Sequence, residues 1–243
     1  MKAFGDLHSH STYSDGRGTI AENIRAASEA GLRKYAVTDH GPRNIGTGVA
    51  NEDKYQEIRA GVDMLRAKYS GVEILVGAEA DVISLEGEID LSASTIAGLD
   101  LLIVGLHPFV WPRTLEAGLK FVLGNQFQHL SRGRREKVRT LNTKVVVDVL
   151  DKYPVDILSH PNLGMPLDIA ETGRACAKYE TAYEINTGHA FQEVEDVLTV
   201  AATGARFVVD SDAHFPASVG NLEMGVHLLE KAGIAPEQTL NLE

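Results

Sequence analysis

The stretch Thr19–His40, TIAENIRAASEAGLRKYAVTDH, contains one complete helix–turn–strand unit. Thr19 and Glu22 have the spacing of a capping box, which marks the first turn of a helix. Gly31 has the position of a helix-terminating glycine, and the apolar run Tyr35–Thr38 after it predicts a short buried strand. Two polar residues, the second a histidine, follow that strand directly. Repetition of this unit predicts the fold.

Six further apolar runs have the length and composition of strands, and helical patterns separate most of them. They are Ala3–Leu7, Glu73–Val76, Leu99–Val104, Val155–Leu158, Thr181–Ile185 and Phe207–Val209. Strands that alternate with helices indicate βαβ units and a parallel sheet that is buried on both faces. We therefore predict an α/β fold in a single domain over residues 1–243.

Two segments depart from this alternation. Residues 111–143 are longer than a strand-to-helix connection requires and contain a basic cluster from Arg132 to Arg139, so we predict an insertion with helices of its own. Residues 239–243 are a candidate for a last short strand.

Composition and charge exclude several classes of protein. The chain has 243 residues, a formal net charge of −11 and one cysteine, Cys176. No apolar run approaches the ~18 residues of a membrane span, and the first residues lack the apolar core of a signal peptide. The negative charge argues against binding to nucleic acid or to a membrane surface, and a single cysteine excludes a disulfide framework or a cysteine-based zinc site. We therefore expect a cytoplasmic globular protein.

Side chains that can bind metals gather at the carboxyl ends of the predicted strands. Six of the nine histidines lie there with three carboxylates: His8, His10, Asp15, His40, Glu79, His107, His160, Asp212 and His214. The carboxyl ends of parallel strands converge on the ligand-binding face of an α/β fold, so we expect these nine groups in one pocket. So many buried imidazoles and carboxylates need positive charge to compensate them. Neutral imidazole and carboxylate ligands suit zinc, manganese or iron.

Other polar residues near the strand ends are candidates for supporting roles. Three carboxylates could accept a hydrogen bond from the second nitrogen of a metal-bound histidine, namely Asp6, Asp39 and Glu184. A strand-end cap is the alternative for Asp39. Substrate contact is predicted for Arg17, Arg43, Asn186 and His189, with a solvated loop position as the alternative for Asn186 and His189.

The order of these motifs resembles that of a known family. The segments are DLHSHSTYSDG (6–16), VTDHGP (37–42), GAEAD (77–81), GLHPF (105–109), LSHPN (158–162), YEIN (183–186) and SDAH (211–214). Together they resemble the successive motifs of the PHP (polymerase and histidinol phosphatase) family, and more narrowly its small stand-alone bacterial phosphatases. The resemblance implies a distorted (β/α)7 TIM-like barrel with a trinuclear metal site at the carboxyl ends of the strands.

The resemblance also implies how three divalent metals share the ligands. The first metal is expected on His8, His10, Glu79 and Asp212. Glu79 is expected to bridge to a second metal held by His107 and His160. The third set is Asp15, His40 and His214. Some close relatives have a histidine where this chain has Asp15, and this departure concerns the third metal.

The implied reaction is hydrolysis of a small phosphomonoester, as in histidinol phosphatase. A metal-bound hydroxide is the expected nucleophile, and the expected catalytic residues are Glu79, Asp212 and His214. The partner would be a small phosphorylated metabolite.

Two alternatives remain open. An amidohydrolase also begins with an HxH strand, although many of its binuclear members bridge their metals with a carboxylated lysine where this chain has Glu79. The second alternative is a non-catalytic or exonuclease-like PHP module, and the charge of −11 disfavours a long polyanion as its substrate.

Overall fold

Seven strands form one parallel sheet in the computed structural model, which describes residues 1–243. They are β1 (Gly5–Asp6), β2 (Lys34–Val37), β3 (Glu73–Asp81), β4 (Leu101–Gly105), β5 (Ile157–Leu158), β6 (Ala182–Asn186) and β7 (Phe207–Asp210). Each strand pairs with the next one along the chain, from β1 to β7. The predicted α/β fold is confirmed, and every predicted run overlaps one observed strand.

Helices cover the outside of the sheet. They are α1 (Ile20–Glu29), α2 (Lys54–Arg66), α3 (Ala93–Ile96), α4 (Leu115–Ala117), α5 (Leu123–Gln126), α6 (Arg132–Lys152), α7 (Ile169–Tyr179), α8 (Val194–Ala201) and α9 (Glu223–Lys231). A π-helical turn (Gly118–Val122) joins α4 to α5, and 3₁₀ turns lie at Gln128–Leu130, Pro216–Ser218 and Pro236–Gln238. Helix α1 has the predicted capping box at Thr19, and Gly31 beyond its end has a φ of +74°. None of these helices combines the length and apolar character that crossing a bilayer requires.

The sheet curves into a nearly closed barrel, because its first and last edges approach each other. Ser9 forms a parallel bridge with Ala213 just beyond the carboxyl ends of β1 and β7. Asp6 and Asp210 each accept a hydrogen bond from a backbone N–H of the opposite edge, at 3.0 and 2.6 Å. These contacts form the seam of the barrel, and they bring the first histidines of the chain next to its last carboxylate motif.

The expected last strand at residues 239–243 is present only as isolated bridges, which Leu242 forms with Ala3 and Thr239 forms with Phe207. A side chain of this segment adds hydrogen bonds to the neighbouring strands. Asn241 is fully buried between β1 and β7. Its Nδ2 donates to the carbonyl oxygens of Gly5 at 2.8 Å and Val209 at 2.6 Å, and its Oδ1 accepts from the N–H of Val209 at 3.1 Å. Asn241 therefore fastens the seam at the amino end of the barrel.

Side chains that face the inside of the barrel change from apolar to polar along the strands. On β3, Leu75 is followed on the same face by Glu79 and Asp81, because successive side chains alternate between faces. An apolar floor closes the amino end of the barrel and consists of Leu7, Ala36, Leu101, Ile103, Ile157, Ala182 and Val208. A larger cluster of 45 buried residues fills the space between sheet and helices. The polar interior is thus confined to the carboxyl end.

Residues 111–143 are helical over most of their length. They comprise α4, the π-helical turn, α5, a 3₁₀ turn and the first part of α6, which continues to Lys152. The segment therefore ends inside a helix and not in a loop. We propose that it is an insertion within a single domain, since one sheet runs through the whole chain.

Candidate functional site

Glu79 lies at the centre of a group of histidines at the carboxyl end of the barrel. Five imidazole nitrogens lie within 3.6 Å of its carboxylate: His8 Nε2 (3.3 Å), His10 Nε2 (3.6 Å) and His40 Nδ1 (2.9 Å) at Oε2, and His107 Nε2 (3.4 Å) and His160 Nε2 (2.9 Å) at Oε1. Each histidine comes from a different strand end, apart from the first two, which both follow β1.

Asp15 and Asp212 extend this group toward the opening of the barrel. Asp212 Oδ1 lies 3.1 Å from His10 Nε2. Asp15 Oδ2 lies 3.2 Å from His214 Nε2, and its Oδ1 lies 3.8 Å from His40 Nε2. The structure therefore brings together all nine side chains that the sequence places at strand ends, and we call them the nine-residue cluster.

Two members of the nine-residue cluster have an unusual backbone. His160 has a φ of +28° and Asp212 a φ of +50°, in the left-handed region that residues with a side chain rarely adopt. Such a conformation costs about 1–3 kcal/mol and persists only where the surroundings hold it. For His160 the backbone N–H donates to the buried carboxylate of Glu184. Strain of this kind is concentrated at functional sites.

The electrostatic balance of the cluster keeps its central carboxylates ionised. Glu79, His8 and His10 have no exposed surface. Burial by itself would raise the pKa of Glu79, but the facing imidazoles of His8 and His107 outweigh it and hold the pKa well below its usual range. Burial opposes ionisation of Asp212 too, and His8 and His10 hold its pKa well below the usual value.

Three buried atoms of the cluster have no hydrogen-bond partner: His10 Nδ1, His40 Nδ1 and Glu79 Oε2. The last two lie 2.9 Å apart, but not in hydrogen-bond geometry. Orphaned polar atoms in an interior are costly and rare. Three overlapping sets of ligand atoms each lie within 4.8 Å of one another: His10, Asp15, His40 and His214; His8, His10 and Glu79; His40, Glu79 and His107. The residues present therefore fit divalent cations.

Two carboxylates orient histidine rings of the cluster. Glu184 Oε1 accepts from Nδ1 of His8 at 2.6 Å, and Asp81 Oδ1 accepts from Nδ1 of His107 at 2.6 Å. In both rings Nε2 then faces Glu79. Sequence reasoning named Glu184 but missed Asp81. The available signal was spacing, because Asp81 lies two residues after Glu79 and so on the same face of β3.

The other two predicted orienting carboxylates have different partners. Asp39 accepts from the backbone N–H and the hydroxyl of Ser11, both at 2.7 Å, and thereby orders the loop after β1. Asp6 accepts from the backbone N–H of Ser211 at 3.0 Å and of Gly220 at 2.8 Å. Neither accepts a hydrogen bond from a histidine ring, so the expectation that they orient ligands is wrong.

Asn186 and His189, predicted to contact substrate, both lie against Asp212. Asn186 is buried, and its Nδ2 donates to Asp212 Oδ2 at 3.1 Å. His189 has a half-exposed side chain with Nε2 3.4 Å from the same oxygen. Of the two, only His189 can be reached from solvent.

The two predicted arginines differ in their surroundings. Arg17 is exposed, and its backbone N–H donates to the carbonyl oxygen of His214 at 2.7 Å, which places Arg17 beside the cluster. The guanidinium of Arg43 instead donates to the carbonyl oxygen of Trp111 at 3.4 Å. The structure therefore does not bring the Arg43 guanidinium into the cluster.

Comparison with known proteins places the chain in a family. The model of the PHP domain matches residues 6–186. The chain belongs to the PHP domain family. A probable phosphatase from Thermoanaerobacter sp. (strain X514) is 30% identical to this PHP protein over 254 residues, covering 100% of this chain and 92% of the relative. A probable phosphatase from Shewanella frigidimarina (strain NCIMB 400) is 27% identical, covering 99% of this chain and 90% of the relative.

A solved structure shows the same PHP fold. The histidinol phosphate phosphatase from Lactococcus lactis subsp. lactis Il1403, in complex with zinc, L-histidinol and phosphate, superposes with a TM-score of 0.64 at 17% identity. The match covers 99% of this chain and 97% of that chain. The family resemblance and the TIM-like barrel predicted from the motifs are thus confirmed.

Proposed function

We propose that this PHP protein is a metal-dependent phosphoesterase that hydrolyses a small phosphomonoester. The observation that carries the proposal is the Glu79 carboxylate, which faces five imidazole nitrogens within 3.6 Å while its Oε2 has no hydrogen-bond partner. Relatives named probable phosphatases, and a fold shared with a zinc-bound phosphatase, support the same reaction.

Three divalent cations, zinc, manganese or iron, form part of the proposal. The first would be held by His8, His10, Glu79 and Asp212, the second by Glu79, His107 and His160, and the third by Asp15, His40 and His214. When bound, such cations lower the pKa of a water toward neutrality and neutralise the charge of a phosphate. Glu79 is the carboxylate that two of these sets share.

The residues of the chain have separate tasks in this proposal. Asp81 and Glu184 hold two imidazoles with Nε2 toward Glu79, so these ligands need no reorganisation during the reaction. The apolar floor excludes water from below. The substrate then approaches from the opening, where the side chains of His214 and Asp15 are 32% and 23% exposed.

The substrate phosphate would meet further groups at this opening. Arg17 is suited to it, because the residue is exposed and its backbone N–H donates to the carbonyl oxygen of His214. His189 and Asn186 would hold Asp212 from the other side. The same proposal includes a small phosphorylated metabolite as the substrate and a cytoplasmic location. Histidinol phosphate is the first compound to test.

A metal analysis combined with a substrate screen tests this function. The purified protein is stripped with a chelator and restored separately with zinc, manganese and iron. It is then assayed on p-nitrophenyl phosphate, a phosphomonoester panel, and a panel of amides and lactones. We expect bound divalent metal and metal-dependent hydrolysis of phosphomonoesters only. Amide or lactone hydrolysis, or no phosphoester hydrolysis with any of the metals, would refute the proposal.

A further inference from the structure

A short antiparallel ribbon ties together two loops at the carboxyl end of the barrel. It consists of residues 43–45, in the loop after β2, and residues 109–111, in the loop after β4. Asn44 lies opposite Val110, and a backbone hydrogen bond of 2.9 Å lies on each side of this pair. Each loop carries one member of the nine-residue cluster near its start, His40 or His107, so the ribbon joins two cluster-bearing segments outside the sheet.

The two faces of the ribbon differ in exposure. Val110 is buried, whereas its neighbours Phe109 and Trp111 point to solvent, as alternation along an extended segment requires. Asn44, opposite Val110, belongs to the inner face and is half-buried. Its side chain therefore points toward the barrel and not toward solvent.

The inner face of the ribbon reaches the carboxylate that orients His107. Asn44 Nδ2 donates to Asp81 Oδ1 at 3.2 Å, and the same oxygen accepts from His107 Nδ1 at 2.6 Å. Asp81 is fully buried, and its Oδ2 has no partner. Asn44 and His107 are thus the only side chains that donate to this carboxylate.

A second buried carboxylate, that of Asp90, supports the same loop through hydrogen bonds of its own. Asp90 accepts from the backbone N–H groups of Asp81 at 2.8 Å and Arg43 at 2.9 Å. Its own backbone N–H donates to the carbonyl oxygen of Asp81 at 3.0 Å and not to the Asp81 carboxylate. The donors to the Asp81 carboxylate are therefore the side chains of Asn44 and His107.

We propose that Asn44 is a positioning residue, which holds Asp81 Oδ1 in the one orientation that keeps Nδ1 of His107 hydrogen-bonded and its Nε2 toward Glu79. Two donors at one oxygen fix the rotation of the carboxylate. With the amide removed, the unpartnered Oδ2 of Asp81 competes for the ring, and His107 loses its single orientation. Residues that support metal ligands in this way are typically worth 10–100-fold in metal affinity or activity.

The test compares Asn44→Asp with Asn44→Ala. Asn44→Asp keeps the shape of the side chain but has no N–H donor, and Asn44→Ala removes the donor without adding charge. The matched control is Asn221→Asp, the same change at an exposed asparagine whose side chain makes no hydrogen bond in the structure. The first measurement is the NMR signal of the ring Nδ1–H proton of His107 in metal-free protein labelled with ¹⁵N-histidine, and its absence in His107→Gln assigns it. The second is zinc affinity, measured by competition with a chromophoric chelator. The third is steady-state kinetics, which gives kcat and KM.

In both Asn44 variants we expect the protected Nδ1–H signal of His107 to be lost and the weakest zinc site to bind about tenfold more weakly. The value of kcat should fall about tenfold while KM stays within about twofold, and Asn221→Asp should match the wild type. If Asn44→Asp does not fold, Asn44→Ala decides alone. A folded variant that keeps the His107 signal and the zinc affinity overturns the proposal.

Only the kinetic arm of this test depends on the proposed function. If the wild type hydrolyses no phosphoester, the phosphoesterase proposal fails. Loss of the His107 signal and of zinc affinity in the variants would still establish the role of Asn44.

Discussion

Removal of the Asn241 side chain should destabilise the protein strongly while leaving its metal content unchanged. In Asn241→Ala the N–H of Val209 and the carbonyl oxygens of Gly5 and Val209 lose their partners at the buried seam between β1 and β7. At about 1–3 kcal/mol for each buried group left unpaired, and with some relaxation, we expect a loss of about 3–5 kcal/mol. That is a large share of the ~5–15 kcal/mol by which a domain of ordinary stability is folded.

Urea denaturation of the metal-free and zinc-loaded proteins measures this loss. Because Asn241 lies at the amino end of the barrel and the nine-residue cluster at the other, the two effects should add, with the same difference in both forms. Asn241→Leu keeps the volume of the side chain but no polar atom, so it should lose as much stability as Asn241→Ala. The control Asn221→Ala, at an exposed asparagine, should keep the stability of the wild type. A loss below about 1 kcal/mol in Asn241→Ala, or full stability in Asn241→Leu, would show that the hydrogen bonds do not fasten the seam.

Three further changes test the cluster. Glu79→Gln removes the charge of the carboxylate that two of the proposed ligand sets share. Metal analysis should therefore show at least one ion fewer per chain, and kcat/KM should fall about 100-fold or more. Full activity would refute the proposed role of Glu79. A Cβ at Gly105 would lie 2.6 Å from His107 Cε1 and 2.7 Å from Glu79 Oε1. Gly105→Ala should therefore bind zinc more weakly while its circular dichroism spectrum stays the same, and an unchanged zinc affinity would contradict this packing. In the metal-free protein, burial opposes the charge of His214, but Asp15 and Asp212 outweigh it and raise the His214 pKa from 6.5 to about 9. This group therefore stabilises the fold fully below pH 6.5 and loses its contribution as the pH rises toward 9. The metal-free His214→Gln variant should accordingly show a flatter stability profile between these values by urea denaturation, and an unaltered slope there would count against the ion pair.

The strands and the convergence of the nine-residue cluster could be predicted because both follow from short-range patterns. A buried parallel strand is a short apolar run, and the residue after it lies at the carboxyl face whatever the connecting helix does. His40, His107 and His160 needed only this rule. The carboxyl end of β3 was harder to place, because the strand continues through Glu79 to Asp81, where apolar composition no longer marks it.

Hydrogen bonds between side chains from distant segments could not be predicted in the same way. Asp39 looked like a partner for His40 because the two are adjacent, yet the conformation of the loop after β1 brings Ser11 to that carboxylate. Asn44 and Asn241 carry no pattern in the sequence. Their roles depend on a ribbon and a seam whose register only the folded chain defines.

Closure of the barrel between Ser9 and Ala213 also bears on how the protein is made. His10 and Asp212 are 202 residues apart in the chain. Since translation runs from the amino end, the first two histidines leave the ribosome long before their carboxylate partner exists. During elongation a cation would meet only part of the proposed ligand set, and the choice of cation would then depend more on availability than on geometry. In the proposed metal centre, discrimination among metals would therefore be acquired late, once the final strand has emerged and docked against the first.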